Sequence, residues 1–163
     1  MNAAFQPAAA DLADFVYREA HLLDTRQFEA WYGLFADDGR YWLPFTPEQS
    51  DWRGQQSIVI EDKLMLRVRV ERLKSPKAYS QQPAVRCQHV LQAPAVEAAD
   101  PAANAYRTRT PFFYTEFRHD EQTLLTGVAT HRLRVDAGAL VIVEKRIDLL
   151  NAAGALPGIF LML

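Results

Sequence analysis

The residues with the clearest capacity for chemistry are Cys87 and His89, which stand two positions apart in the run Cys87-Gln88-His89. This spacing supplies half of the ligands of an iron–sulfur cluster that is held by two thiolates and two imidazoles. Because Cys87 is the only cysteine of the chain, the second thiolate is missing and no such cluster is predicted. The same count excludes an intrachain disulfide, so the fold does not depend on an oxidising compartment.

The histidines could bind a single iron ion if two of them converged with a carboxylate. They are scattered along the chain, at His21, His89, His119 and His131, without a helical pair or another close ligand spacing. Such histidines more often serve as hydrogen-bonded strand or interface residues, so we predict no metal site. Cys87 lacks a helix start or an elbow turn that would activate it, and we expect an inert thiol.

A hollow fold could still bring a general acid and a general base together, because burial can move the pKa of a carboxylate or imidazole toward neutrality. The pocket candidates are Tyr17, Tyr41, His89, Glu116 and Asp148. On this alternative the chain would be a free-standing dehydratase, isomerase or cyclase that acts on a small hydrophobic substrate. The competing interpretation is that these polar groups satisfy hydrogen bonds within a sheet.

Arginines provide a different signal, because they lie in predicted strands that also carry large apolar residues. They are Arg86, Arg107, Arg109, Arg132, Arg134 and Arg146. Such strands suit bidentate ion pairs at a subunit interface, although cross-strand pairing within one chain is an equally good explanation. The candidate interface residues are Arg86, His89, Arg132 and Arg146.

The elements that must position these residues begin with helices. Leu12, Phe15, Val16 and Leu23 have helical spacing, and Asp11 is the predicted start cap. A second short helix is predicted to carry Phe28, Trp31, Tyr32 and Phe35 as an aromatic stripe in the core. Residues 58–73 fit either a strand or a helix, and their length and lack of turn residues favour a helix.

Strands dominate the rest of the chain. Arg40 to Phe45 is predicted as one strand, followed by four antiparallel strands over Val85–Val96, Ala105–Arg118, Gln122–Val135 and Leu140–Leu150. Helices followed by meandering strands indicate an α+β domain whose curved sheet wraps around the helices. At 163 residues, the chain is predicted to form a single domain over residues 1–163.

The composition of the chain restricts the kinds of molecule that it is expected to bind. The formal net charge is -2, and acidic residues interleave with the basic cluster between Arg67 and Lys77, so nucleic-acid binding is not expected. The chain shows no basic, apolar leader and no apolar run of membrane-spanning length, so we expect a cytoplasmic protein without a membrane partner. The apolar tail, residues 156–163, is expected to dock against the sheet or a neighbouring protomer.

The opening segment combines two short helices, an acidic turn and an aromatic strand. It runs Phe15-Val16-Tyr17-Arg18-Glu19-Ala20-His21-Leu22-Leu23-Asp24, then Phe28-Glu29-Ala30-Trp31-Tyr32-Gly33-Leu34-Phe35, and closes with Asp37-Asp38-Gly39-Arg40-Tyr41-Trp42-Leu43-Pro44. This segment resembles the small (beta) subunit of Rieske-type aromatic-ring-hydroxylating dioxygenases. Similar stretches are Pro83-Ala84-Val85-Arg86-Cys87-Gln88-His89-Val90 and Val143-Glu144-Lys145-Arg146-Ile147-Asp148-Leu149-Leu150. The likeness extends from about Leu12 to the C-terminus.

The resemblance implies a cystatin-like α+β cone of the nuclear-transport-factor or SnoaL type, with three N-terminal helices packed in a strongly curved antiparallel sheet. It implies no cofactor in this chain, because the Rieske iron–sulfur cluster and the mononuclear iron belong to an alpha partner. Three alpha and three beta chains are the implied assembly, and a homotrimer of this chain is also possible. The implied role is that of a non-catalytic structural subunit whose alpha partner dihydroxylates an aromatic compound during aromatic catabolism.

Overall fold

The computed structural model describes residues 5–77 and 84–163. Pro83, which begins one of the motifs above, lies outside the described residues. The helices are α1 (Ala9–Asp24), α2 (Phe28–Tyr32) and α3 (Lys63–Lys74). The strands are β1 (Phe35–Pro44), β2 (Ser57–Asp62), β3 (Arg86–Leu91), β4 (Ala95–Asp100), β5 (Ala105–Arg118), β6 (Glu121–Asp136) and β7 (Ala139–Leu149).

The strands form one sheet in the order β2-β1-β7-β6-β5-β3, with β4 beside β5. Neighbouring strands are antiparallel except for β1 and β7, which run parallel. The register shifts in the β6–β7 pair between Arg132 and Leu133, where β7 has one extra residue, as in a β-bulge that increases the local twist. Gly127 of β6 allows the backbone of β7 to approach closely, since a Cβ at this position would lie 2.6 Å from the Asp148 carbonyl oxygen. The predicted α+β cone is confirmed, apart from its one parallel pair.

Helix α1 buries the stripe that its spacing predicts, including Leu12, Phe15 and Leu23. Its start differs from the prediction, because Ala8 is the N-cap residue and Asp11 lies within the first turn. From there the Asp11 carboxylate accepts a hydrogen bond from the backbone N–H of Ala8, at 2.7 Å. A carboxylate in this position satisfies a free N–H and complements the helix dipole. None of the described helices is both long and apolar enough to cross a membrane.

The prediction of one helix over residues 58–73 is wrong for its first part, since Ser57–Asp62 forms strand β2. The β-branched run Ile58-Val59-Ile60 pairs with β1, where Ile60 lies opposite Trp42. Asp62 then caps α3, because its carboxylate accepts a hydrogen bond from the backbone N–H of Met65 at 2.9 Å. An N-cap residue marks the boundary that the length argument overlooked.

Two other boundaries also differ from the predictions. The run Val85–Val96 is not one strand but two, β3 and β4, which both pair with β5. Pro94 lies between them and cannot donate to a ladder, which explains the break. Helix α2 ends at Tyr32, so the predicted helical residue Phe35 instead begins β1.

The apolar tail docks inside the cone, as predicted. Leu161, Met162 and Leu163 are at most 2 % exposed. The Glu116 carboxylate accepts the backbone N–H groups of Phe160 and Leu161, and the Tyr41 hydroxyl oxygen accepts that of Leu163. These bonds satisfy buried backbone donors that no regular secondary structure would pair.

Candidate functional site

The concave side of the sheet contains a buried ion pair. Glu19 of α1 and Lys145 of β7 have side chains that are each 2 % exposed, and Lys145 Nζ donates to Glu19 Oε1 at 2.6 Å. Trp31 Nε1 donates to the same oxygen at 2.5 Å. His131 of β6 completes the group, with its Nε2 3.5 Å from Glu19 Oε2. Helix α1 and the sheet are therefore joined by charge as well as by apolar packing.

The charges of this cluster follow from burial and proximity. Burial alone would raise the pKa of Glu19, but the ammonium of Lys145 and the imidazole of His131 outweigh it and hold that pKa below its ordinary range. Burial lowers the pKa of His131, which is therefore neutral at pH 7. The cluster is thus a carboxylate and an ammonium beside a neutral imidazole.

A second polar group lies where α1 ends against β3. The His89 side chain is only 3 % exposed, and its Nδ1 lies 2.6 Å from Asp24 Oδ1. The backbone N–H of His89 donates to both oxygens of the same carboxylate, at 3.0 and 3.1 Å. Asp24 and His89 therefore form a hydrogen-bonded dyad, in which the carboxylate fixes the Nδ1–H tautomer of the ring.

Cys87 adds a sulfur atom to this group. Its Sγ lies 3.8 Å from Asp24 Oδ1. Burial, with the nearby charge of Asp24, raises the pKa of the Cys87 thiol to about 12. The thiol therefore stays protonated at neutral pH and is not an activated nucleophile, which agrees with the expected inert thiol.

The donor atoms of Asp24, Cys87 and His89 all lie within 4.8 Å of one another. A carboxylate, a thiolate and an imidazole are ligands that zinc accepts. A metal would have to displace the proton that His89 Nδ1 shares with Asp24 and the thiol proton of Cys87. The sequence-based prediction of no metal site considered spacing along the chain alone, and it did not include Asp24, which precedes Cys87 by 63 residues.

The pocket candidates divide between the two sides of the sheet. Tyr41, His89 and Glu116 face the interior, where Tyr41 and Glu116 hold the tail. Burial raises the pKa of Tyr41, so its hydroxyl stays neutral. Tyr17 is not part of an interior pocket, because it is 44 % exposed on the outer surface of α1. Asp148 lies on the outer face of the sheet, where it pairs with Arg146 and lines a groove on that face rather than the interior.

The remaining space in the cone is small. An internal cavity leaves room of about 10 Å³ for the centre of a water molecule. Its lining residues are Val16, Glu19, Ala20, His89, Leu91, Thr110, Phe112, Ala129, His131, Lys145, Ile147 and Leu163. A space of this size fits about one water and no organic substrate.

The convex side of the sheet has the opposite character. Val90 on β3 lies opposite Phe113 on β5, and Phe117 and Leu124 lie on the same face. These four side chains, which we call the outer apolar patch, are 55 %, 51 %, 44 % and 60 % exposed, respectively. Contiguous exposed apolar side chains of this kind mark interaction surfaces in soluble proteins.

Arginines lie further along the same outer face. Arg107 and Arg132 stand directly opposite each other on β5 and β6, and Arg109 follows on β5. Arg107 pairs with Glu97 of β4 at 3.1 Å. Arg132 is exposed. Acidic neighbours flank this pair, since Glu97 binds Arg107 and Glu144 of β7 lies opposite Arg132, so part of the repulsion between the two arginines is offset within the chain.

Two of the four predicted interface residues are engaged within the chain. Arg146 binds both oxygens of Asp148 at 2.8 Å, donates to the carbonyl oxygens of Pro47 and Gln49, and lies over the Trp42 ring. It therefore fastens the loop after β1 to the sheet. His89 is buried as described, whereas Arg86 and Arg132 are exposed.

A groove separates that loop from the strands on the outer face. It has a volume of about 780 Å³, and its lining includes Phe45, Arg109, Val128 and Leu150. Leu150 is 84 % exposed. The outer face therefore offers an apolar patch, a basic segment and a groove, while the interior is filled.

The three helices packed in one curved sheet place the chain among the small α+β cone domains. Comparison with known proteins identifies the family. Residues 18–153 match the family model described as ring hydroxylating beta subunit. The small oxygenase component of the p-cumate 2,3-dioxygenase system of Pseudomonas putida is 30 % identical over 139 residues, or 84 % of this chain and 76 % of that protein. This chain belongs to the ring-hydroxylating dioxygenase beta-subunit family, as the resemblance of its opening segment indicated.

Solved structures show the same fold. The beta subunit of the benzoate 1,2-dioxygenase from Burkholderia mallei superposes with a TM-score of 0.77 at 24 % identity, covering 97 % of this chain and 99 % of that chain. A chain of naphthalene 1,2-dioxygenase gives a TM-score of 0.79 at 16 % identity, covering 98 % and 89 %. The predicted cystatin-like cone is therefore confirmed.

The residues that sequence reasoning missed are Glu19, Trp31 in its hydrogen-bonding role, Lys145 and Asp24. Glu19 lies within the apolar stripe of α1, and Lys145 shares the inward phase of Ile147 on β7. A charged residue at an apolar position of each pattern is the signal that could have paired them.

Proposed function

We propose that this chain is the non-catalytic structural beta subunit of a ring-hydroxylating dioxygenase. Its alpha partner would carry the Rieske iron–sulfur cluster and the mononuclear iron and would perform the oxygen chemistry. The observation that carries this proposal is the division of the sheet into two faces. The concave face is filled and uses its polar groups internally, while the convex face exposes the outer apolar patch beside arginines.

The reaction of the complex would be the dihydroxylation of an aromatic compound during aromatic catabolism. The names of similar proteins support this substrate class, because they refer to p-cumate, 2-halobenzoate and benzene. An aromatic ring is the feature that these compounds share. The beta chain would contribute stability and the relative positions of the alpha chains, in the reducing environment of the cytoplasm.

The outer face is the proposed contact with other subunits. The outer apolar patch would form the desolvated centre of the contact, and Arg86 and Arg132 would provide charged anchors at its edge. Three alpha and three beta chains are the proposed assembly, and the beta chain alone could form a homotrimer. His89 and Arg146 are not part of this surface, because each is committed to contacts within the chain.

The alternative of a free-standing dehydratase, isomerase or cyclase is not favoured. It requires a pocket with a titratable pair, and the interior of the described residues offers about 10 Å³ beside a histidine that is bound to Asp24. Tyr41 and Glu116, which that alternative would use, hold the tail instead.

Coexpression with the cognate alpha subunit tests the proposal. The two chains should copurify, and the iron and the oxygen-dependent turnover of an aromatic substrate should appear only in the complex or in its alpha chains. A solution-mass measurement of this chain with and without the alpha subunit should give a larger species when both are present. Failure of the chains to associate, or oxygen-consuming turnover by this chain alone, would contradict the proposal.

A further inference from the structure

Four buried polar atoms of residues that line the internal cavity have no hydrogen-bond partner among the described residues. They are His89 Nε2, Thr110 Oγ1 and both ring nitrogens of His131. All three residues line the same cavity. Thr110 is 0 % exposed, His131 is 1 % exposed, and the His89 side chain is 3 % exposed. Bulk water therefore cannot form hydrogen bonds with these atoms. Because unpaired buried polar groups are rare in folded proteins, a partner inside the cavity is expected.

The partners of each imidazole determine what its free nitrogen can do. The Asp24 carboxylate accepts a hydrogen bond from His89 Nδ1, and in the neutral ring this leaves Nε2 as an acceptor. His131 Nε2 lies 3.5 Å from Glu19 Oε2, a long contact without hydrogen-bond geometry. A carboxylate can only accept, so the proton of this neutral ring is favoured on Nε2 and Nδ1 is the acceptor. The cavity thus receives two imidazole lone pairs.

These groups cannot satisfy one another. Two acceptors repel, and the Thr110 hydroxyl has one proton to donate, so at least one imidazole would stay without a donor. A water molecule has two protons to donate and can also accept one, which complements two imidazoles and one hydroxyl. The cavity, at about 10 Å³, has room for one such molecule.

We propose that a single buried water occupies the cavity, where it donates to His89 Nε2 and His131 Nδ1 and accepts the hydroxyl proton of Thr110. The water joins the Asp24–His89 dyad at the end of α1 to His131, whose Nε2 lies 3.5 Å from Glu19 Oε2 of the Glu19–Lys145 cluster. One polar network then crosses the cone from β3 to β7 and fixes α1 against the sheet at two points. This inference concerns the interior and does not depend on the proposed alpha partner.

Thr110→Val tests the role of the hydroxyl, because valine keeps the shape and removes the donor. Thr108→Val is the matched control, since Thr108 is the preceding inward residue of β5, is 0 % exposed, and has an unpartnered hydroxyl that does not line the cavity. For a chain of this size, loss of one hydrogen bond to the water should lower the melting temperature by roughly 2–4 °C in Thr110→Val. Thr108→Val should match or exceed the wild type, because it removes an unpaired polar group.

A high-resolution crystal structure of the full chain provides a direct second measurement. Density for one ordered water within hydrogen-bond distance of both imidazoles and Thr110, together with a lower melting temperature for Thr110→Val than for Thr108→Val, would support the proposal. A dry cavity, or a Thr110→Val variant at least as stable as Thr108→Val, would overturn it.

Discussion

The two faces of the curved sheet differ in how they use their polar groups and in what they leave exposed. The concave face buries an ion pair, Glu19 with Lys145, and keeps Asp24 and His89 as a hydrogen-bonded dyad. The convex face exposes the outer apolar patch, four large apolar side chains that are each at least 44 % accessible. Within a largely apolar interior the buried charges are therefore paired, whereas the convex face leaves large apolar side chains accessible beside its arginines.

This difference between the faces separates two tasks. Inside the part of the chain that the structure describes, Glu19 and Lys145 join α1 to β7, Glu116 holds the tail, and the remaining cavity is too small for an organic substrate. Outside, apolar side chains remain available to a partner. The proposed structural role requires a well-packed interior and an exposed contact surface, and the two faces would provide these separately.

The largest expected effect is on the buried ion pair. Lys145→Met retains most of the side-chain volume but leaves the Glu19 carboxylate buried without its cation, and this should lower the free energy of unfolding by roughly 3–5 kcal/mol. Urea denaturation monitored by circular dichroism measures the loss. The double variant Glu19→Gln/Lys145→Met should recover most of it, because it removes both charges. A single variant as stable as the double variant would show that the pair is not a structural contact of the interior.

The tail provides the next test of the interior. Leu161 is 2 % exposed, so Leu161→Ala should lower the free energy of unfolding by roughly 2–5 kcal/mol through loss of burial and formation of a cavity. Leu150→Ala is the matched control. Leu150 is 84 % exposed on the outer face, so this substitution should change the free energy of unfolding by less than about 0.5 kcal/mol. Equal effects of the two substitutions on thermal or urea unfolding would contradict the docked tail.

The pH dependence of stability should come from the concave face. The unfolded chain binds a proton at His131 near the ordinary value of 6.5, whereas burial lowers the pKa of the native ring. Stability should therefore fall as the pH drops below about 6.5, by at most roughly 1.4 kcal/mol per pH unit for this one proton. Urea midpoints measured between pH 7.5 and 5 should show this slope, and His131→Gln should reduce it.

Glu19 extends the same dependence to lower pH. Its native pKa lies below the ordinary value of 4.5, so its stabilising contribution is present above that value and is lost as the pH falls beneath it. Glu19→Gln should flatten the stability curve below about pH 4.5. Because the Glu19 carboxylate raises the pKa of His131, the same substitution should extend the His131 slope to lower pH. A curve unchanged by either substitution would mean that the two groups are not coupled to folding.

Strand alternation predicted the part of the fold that depends on local pattern. The observed β5 has the bounds of the predicted strand Ala105–Arg118, and β6 and β7 differ from their predictions by one residue at each end. The boundary between β2 and α3 was missed, because a β-branched run was weighed by length rather than by its pairing with β1.

The polar groups of the interior could not be predicted in the same way. Glu19 and Lys145 are 126 residues apart, and only the folded sheet brings them together. Asp24 and His89 are likewise separated by 65 residues. The outer apolar patch could not be predicted from the local sequence either, because Phe113 and Leu124 follow the same strand alternation whether solvent or a partner covers them.

The outer apolar patch gives the smallest expected effect on the isolated chain and the largest on assembly. Phe113→Asp replaces a half-exposed ring, so it should change the melting temperature of the chain little. Leu64→Asp is the matched control, because Leu64 is 71 % exposed on α3, away from the outer face.

The most direct measurement is the solution mass of each variant mixed with the cognate alpha subunit. The account predicts that Phe113→Asp stays folded and loses the complex, with an affinity loss of about tenfold or more, while Leu64→Asp assembles like the wild type. A Phe113→Asp chain that forms the complete complex as readily as the wild type would contradict the assignment of the outer face as the subunit contact.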